Sequence, residues 1–167
     1  MKKNISYKLL FLSLLIIGFS SCNIKQKESE KNKISKVENE KAFTSLILKH
    51  LNAVQNKDLN TLKSTMSPKG NMELIQPSSE IVYAVDGFMK FHQEWFKVPN
   101  WTINTKILST DIGDKFGVAT TEFLYKEPER NGKPYFNRLI VTYALEKIDN
   151  NWYIIKDHAS SIEKTID

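Results

Sequence analysis

Residues Asn150 to Ser161 read NNWYIIKDHASS, and the reading of this stretch decides the fold of the chain. The two asparagines, preceded by Ile148 and Asp149, are a turn signal, and the aromatic and β-branched residues after them favour a strand. Strict alternation sends Trp152, Ile154, Lys156, His158 and Ser160 to one face, and Tyr153, Ile155, Asp157 and Ala159 to the other. Asp157 and His158 then point in opposite directions, so the adjacent pair cannot form a catalytic dyad. His158, supported by Ser160, is left as the inward candidate.

The three segments before this strand have the same character. WTINTKILST, from Trp101, alternates and ends at the turn DIGDK; FGVATTEFLYK, from Phe116, runs into the loop EPERNGKP with its Asn-Gly turn signal; YFNRLIVTYALEK, from Tyr135, is the longest strand. Turns of this length predict antiparallel hairpins. Upstream, the period changes. Phe43, Leu46, Ile47, His50, Leu51 and Val54 recur at helical spacing, Asp58 is placed to cap a second helix, and SPKG ends it. Two short extended pieces flank Pro77, and a third helix begins near Asp86 with Phe88, Phe91, His92 and Trp95 along one face. Three helices followed by a strand meander predict an α+β domain, with the helices packed against one face of a curved antiparallel sheet. Apolar residues on both faces of the last two strands imply that the outer face is covered too, most economically by a second copy of the chain.

The 167-residue chain begins with lysines at positions 2, 3 and 8, followed by the apolar run LLFLSLLIIGF. A basic start, a short apolar run and a small-residue exit predict an export signal over residues 1–21. The run is short of the ~20 residues that a membrane-spanning helix needs. The single cysteine, Cys22, follows directly, and GFSSC resembles the lipobox of bacterial lipoproteins. That likeness implies a lipid on Cys22 that tethers the protein to a membrane of the cell envelope; a plain secretory signal with an incidental thiol is the alternative. Residues 22–40 are polar, mixed in charge and free of aromatics, as expected of a flexible tether, or of a charged helical extension of the first helix. The folded domain is expected over residues 41–167.

The formal charge of +5 is unevenly distributed: the signal holds three lysines and no acid, residues 22–40 hold five lysines against four glutamates, and +1 remains for the domain. Arg130 and Arg138 are the only arginines, and no basic stripe exists, which argues against a nucleic-acid partner. His50, His92 and His158 lack metal-ligand spacing, and the six glycines form no phosphate-binding loop, so neither a metal nor a cofactor is expected.

Arg138 and Thr142 in the long strand, with Trp152, Ile154, His158 and Ser160 in the closing one, resemble the SnoaL-like group of the nuclear-transport-factor-2-like superfamily over residues 40–162. The resemblance implies a cone-shaped barrel enclosing a pocket. The superfamily includes ketosteroid isomerases, polyketide cyclases, dehydratases and members that only bind or dimerise. The isomerase tyrosine–aspartate pair has no matched counterpart here, so the fold name carries no activity with it.

Each candidate site residue has a structural alternative. His158 could act as acid or base, or simply satisfy the end of the sheet. Arg138 has the planar fork that anchors anions, or forms a structural pair with Glu122. His92 and Trp95 line the pocket or belong to the core. Tyr83 rims the pocket or bonds the backbone. Three functions are expected to compete: a tethered domain binding a small, largely apolar molecule; an isomerase, cyclase or dehydratase with His158 as acid–base and Arg138 or Tyr83 stabilising charge; and a dimeric interaction module whose pocket is plugged by Phe91, Trp95 and Trp101.

Overall fold

The computed structural model describes the backbone of residues 17–166 and the side chains of residue 30 and residues 33–166. Helix α1 spans Ile17–Gln55. The predicted signal lies almost wholly outside the described residues, as does the side chain of Cys22. Residues 22–40 are helical in backbone as part of α1, and the side chains of residues 33–38 are all exposed. No helix among the described residues is long and apolar enough to cross a membrane.

Residues from 41 onward form one compact unit. Within it, α1 buries Phe43, Ile47, His50, Leu51 and Val54, the stripe expected from their spacing. The helix stops at Lys57, whose φ of 57° reverses the chain. Its amide bonds Val54 O and the next amide bonds Ala53 O, the paired pattern of a Schellman end. Asp58 then caps α2 (Leu59–Ser64), its carboxylate accepting from the Thr61 amide at 3.0 Å and the Thr61 hydroxyl at 2.6 Å. Strands β1 (Glu73–Ile75) and β2 (Ile81–Tyr83) form a small antiparallel pair before α3 (Ala84–Lys97). Four long strands follow: β3 (Thr102–Ile112), β4 (Phe116–Arg130), β5 (Lys133–Ile148) and β6 (Asn151–Lys164).

All six strands make one sheet in the order β2-β1-β6-β5-β4-β3. It is curved but unclosed, an open cone rather than a complete barrel. Its pairing is antiparallel except where β1 runs parallel to β6. Two-residue turns in the left-handed region, Asn131-Gly132 and Asp149-Asn150, join the last three strands and match the right-handed twist of the hairpins. The expected loop EPERNGKP is mostly strand: β4 continues to Arg130 and β5 begins at Lys133, with an irregularity between Glu127 and Arg130 that accommodates Pro128.

The inner face packs against the helices through Ile103, Phe123, Val141, Tyr143, Leu145, Trp152 and Ile154. Phe43 meets Trp152 edge-on at 5.1 Å between ring centroids. The approach of α1 to β4 needs Gly117, because a Cβ there would lie 2.6 Å from the Phe43 ring.

A bulge in β6 corrects the expected strand rows. Ala144 pairs with Lys156 and Leu145 with Ile154, which leaves Ile155 as an extra residue. Inserting one residue shifts the alternation by one. Trp152 and Ile154 face inward as expected, but beyond the bulge Asp157 and Ala159 face inward, and Lys156, His158 and Ser160 are exposed.

Candidate functional site

The concave face of the sheet and the inner faces of the helices enclose a cavity of about 450 Å³. Val54 of α1 and Phe91, His92 and Trp95 of α3 line it from the helical side; Leu74 and Pro77 contribute from around β1. The sheet supplies Ile103, Phe123, Tyr125, Leu139, Val141 and Tyr143. These walls are apolar and aromatic because period-two residues of the long strands and the i, i+1, i+4 residues of α3 all converge on the same space.

Asp157 is the buried charge of this cavity, only 6% exposed. Its Oδ1 is buried without a hydrogen-bond partner. Burial pushes its pKa up to about 7, because desolvation penalises the carboxylate. Directly across the ladder is Tyr143, whose phenol is raised well above its usual range by burial and by the nearby carboxyl.

His92 is held in one tautomer. Its Nδ1–H donates to Phe88 O at 2.9 Å, so its Nε2 carries the lone pair. Burial lowers its pKa to about 4. Behind it, His50 donates from Nδ1 to Thr65 Oγ1 at 2.8 Å, since the threonine hydroxyl is itself committed to Leu62 O at 2.6 Å. His50 Nε2 is consequently buried without a partner, and burial together with neighbouring His92 lowers the His50 pKa to about 3. Both imidazoles are neutral at ordinary pH.

A second polar group lies toward the β4–β5 turn. The Tyr125 hydroxyl donates to Glu127 Oε1 at 2.6 Å, Arg130 Nε donates to Glu127 Oε2 at 3.1 Å, and Arg130 Nη2 bonds Glu127 Oε1. The Arg130 guanidinium also stacks on Tyr135, 3.4 Å from the ring centroid. The ion pair lowers the pKa of Glu127 and raises that of Arg130, so both remain charged. Asn137, two residues beyond Tyr135 on the same face, lines the cavity with its Oδ1 buried and unpartnered.

Of the residues expected from sequence, His92 and Trp95 line this cavity. Tyr83 does not: it precedes α3 and is 64% exposed. Arg138 and Glu122 do pair, at 3.1 Å, with Glu163 completing the cluster at 3.2 Å from Arg138, but they occupy the opposite face of the sheet. His158 and Ser160 are exposed on that outer face as well, a correction that follows from the Ile155 bulge. Phe91 and Trp95 border the cavity without filling it, and Trp95 stacks at 4.7 Å and 7° on Trp101, which lies outside the lining. Asp157, Tyr143, Asn137 and the Glu127–Arg130 pair were missed. The available signals were a carboxylate sharing its alternating row in β6 with Ile155 and Ala159, and an arginine beside the Asn-Gly turn. Among the described residues, no group of three or more His, Cys, Asp or Glu side chains is arranged to hold a metal.

A family profile described as a SnoaL-like domain matches residues 44–163. No curated protein matches. Among solved structures, the hexachlorocyclohexane dehydrochlorinase LinA-type3 from Novosphingobium barchaimii LL02 is similar, with a TM-score of 0.69, 13% identity, and coverage of 80% of this chain and 92% of that one. A ketosteroid isomerase-like protein from Erwinia carotovora atroseptica SCRI1043 superposes with a TM-score of 0.62 at 13% identity, covering 72% and 93%. An NTF-2 like protein of unknown function from Shewanella oneidensis MR-1 gives 0.60 at 15% identity, covering 72% and 97%. At these identities the likeness is one of fold.

Proposed function

Because the chain belongs to the SnoaL-like domain family, we propose that its domain binds a small, largely apolar molecule in the cavity under the sheet. The observation that carries this reading is the cavity itself: at about 450 Å³ it lies within the range of ~300–1,000 Å³ of small-molecule sites, and its aromatic walls are interrupted by only a few polar groups. Native mass spectrometry of protein isolated from its own host should show a retained small molecule. A protein that retains nothing, and whose tryptophan fluorescence does not respond to apolar alcohols, would overturn the reading.

Acid–base chemistry is a second reading, favoured by one observation. Asp157, buried in the cavity wall, has its pKa pushed up to about 7, which poises a carboxyl to exchange a proton with a bound molecule near neutral pH. The dehydrochlorinase and isomerase-like neighbours make such chemistry compatible with the fold. Asp157, with His92 Nε2 as a second acceptor, takes the role first expected of His158. Loss of turnover on Asp157→Asn, once any substrate is found, is the expected result; retained turnover would remove Asp157 from that role.

The proposal also includes the address and the assembly. Cys22 would carry the lipid that tethers the domain to the cell envelope, and Cys22→Ser is expected to move the protein from the membrane to the soluble fraction. The outer sheet face, with Val118, Leu124, Ile140 and Ala144 among its residues, would cover itself against a second copy. Sedimentation of the domain as a monomer at high concentration would remove that part.

A further inference from the structure

The charges along the cavity do not balance. Its charged lining residues among those described are Glu127, Arg130 and Asp157. Glu127 and Arg130 neutralise one another through their ion pair. Asp157 has no such partner, its Oδ1 makes no hydrogen bond, and the residue is 6% exposed. Asn137 Oδ1, the other buried and unpartnered atom of the lining, is an acceptor too, and His92 presents Nε2 as an acceptor once Nδ1–H is committed to Phe88 O. Such a surface asks for hydrogen-bond donors and one positive charge. Trp95 and Tyr125 line the same cavity, and aromatic rings favour a nearby cation because they carry negative charge density on their faces.

We propose that the cavity selects apolar amines, the protonated amino group pairing with the Asp157 carboxylate while the hydrocarbon body lies along the aromatic wall. The proposal rests on the reading of the cavity as a small-molecule site and specifies what that site takes. A buried carboxylate without a counter-ion is unfavourable; a ligand ammonium supplies the missing charge, whereas a carboxylate ligand adds a second negative one. Donors at the far end of such a molecule would meet Asn137, six residues along β5 from Tyr143, the cross-strand partner of Asp157.

The pH dependence follows from the groups that face Asp157. From the helices, His92 of α3 lines the same cavity and His50 of α1 packs on Tyr143, both neutral because burial lowers them to about 4 and about 3. From β5 it is Tyr143, raised and neutral. The register partner on β1 is Leu74, which carries no charge. Glu127 and Arg130 keep their charges throughout. Asp157 is thus the group that changes charge near neutrality. An alkylamine remains protonated to about pH 10, so amine binding should strengthen as pH rises and Asp157 ionises.

The test uses three probes with one hydrocarbon chain: octylamine, octanol and octanoate, titrated against the full protein by tryptophan fluorescence and calorimetry. Octylamine is expected to bind at least about tenfold more tightly than octanol, with octanoate weakest. The amine preference should rise about tenfold between about pH 6 and about pH 8. In Asp157→Asn it should collapse to within about twofold while octanol still binds. Octanol or octanoate binding as well as octylamine would overturn the amine proposal and leave the cavity reading standing. Failure of all three probes would overturn both. Should Asp157→Asn fold poorly, the pH dependence of the wild-type preference decides alone, and a flat profile overturns the proposal.

Discussion

Asp157 faces Tyr143 across the β5–β6 ladder, so a carboxyl 6% exposed and a phenol 1% exposed share one wall of the cavity. Neither finds a charged partner there, and both are pushed toward their neutral forms by burial. A fold that carries an uncompensated acid at the centre of its cavity should show it in its stability.

A carboxyl whose folded pKa is raised holds its proton more tightly in the native state than in the unfolded one. Stability contributed by protonated Asp157 is therefore complete below about pH 4 and declines as pH rises through about 7. The loss is on the order of 4 kcal/mol. Asp157→Asn should remove this decline, so the difference in urea stability between variant and wild type should favour the variant increasingly up to about pH 8. A constant difference would show that Asp157 has an ordinary pKa.

The two buried imidazoles should be silent where histidines usually titrate. His50 and His92 are lowered to about 3 and about 4, so their ring resonances in NMR spectra should show no imidazole protonation shift between about pH 5.5 and about pH 8. Movement of the His92 signals near pH 6.5 would show that its Nε2 is solvated rather than buried in the cavity.

Gly117 and Phe43 occupy space that admits no additional carbon. Gly117→Ala should destabilise the domain by about 1–3 kcal/mol, because its Cβ meets the ring of a fully buried phenylalanine. Phe43→Leu in the same chain should recover part of that loss. Thermal melts of the two single variants and the double variant measure the coupling.

Glu127 neutralises Arg130 at the cavity wall. Glu127→Gln should leave the guanidinium uncompensated and shift selectivity toward anions, raising octanoate affinity by about tenfold relative to octylamine. Unchanged selectivity would mean that the Arg130 charge does not reach the bound probe.

His158→Ala should change neither stability, by more than about 0.5 kcal/mol, nor probe affinity, since the side chain is exposed on the sheet face away from the cavity. A large loss of binding would return His158 to the site.

Much of this domain can be read without its coordinates, for reasons visible in particular residues. The stripe Phe43, Ile47, Leu51 and Val54 encodes its helix by spacing alone, and Asp58 encodes the start of the next through a carboxylate three residues before Thr61. Asn131-Gly132 marks a hairpin because Gly132 adopts φ 80° without steric cost. His92 and Trp95 were legible as an inward pair because they share one face of a single helix.

The rest depends on pairing between strands distant in sequence. Alternation within NNWYIIKDHASS correctly turns Trp152 and Ile154 inward, but it cannot register that β5 offers only two residues, Ala144 and Leu145, opposite the three from Ile154 to Lys156. That mismatch belongs to two strands together, and its consequence reaches the residues from Lys156 to Ser161, where a second shift follows: His158 goes out and Asp157 goes in. The same holds for Arg138, whose pairing with Glu122 was foreseeable from sequence, while its place on the outer face was not. Local periodicity therefore determined the elements and their order, and the residues Arg138, Thr142, Trp152, Ile154, His158 and Ser160 carried the family resemblance. The identity of the group inside the cavity was decided by tertiary structure, because one unpaired residue in a ladder reverses the faces of the residues that follow it until the next irregularity.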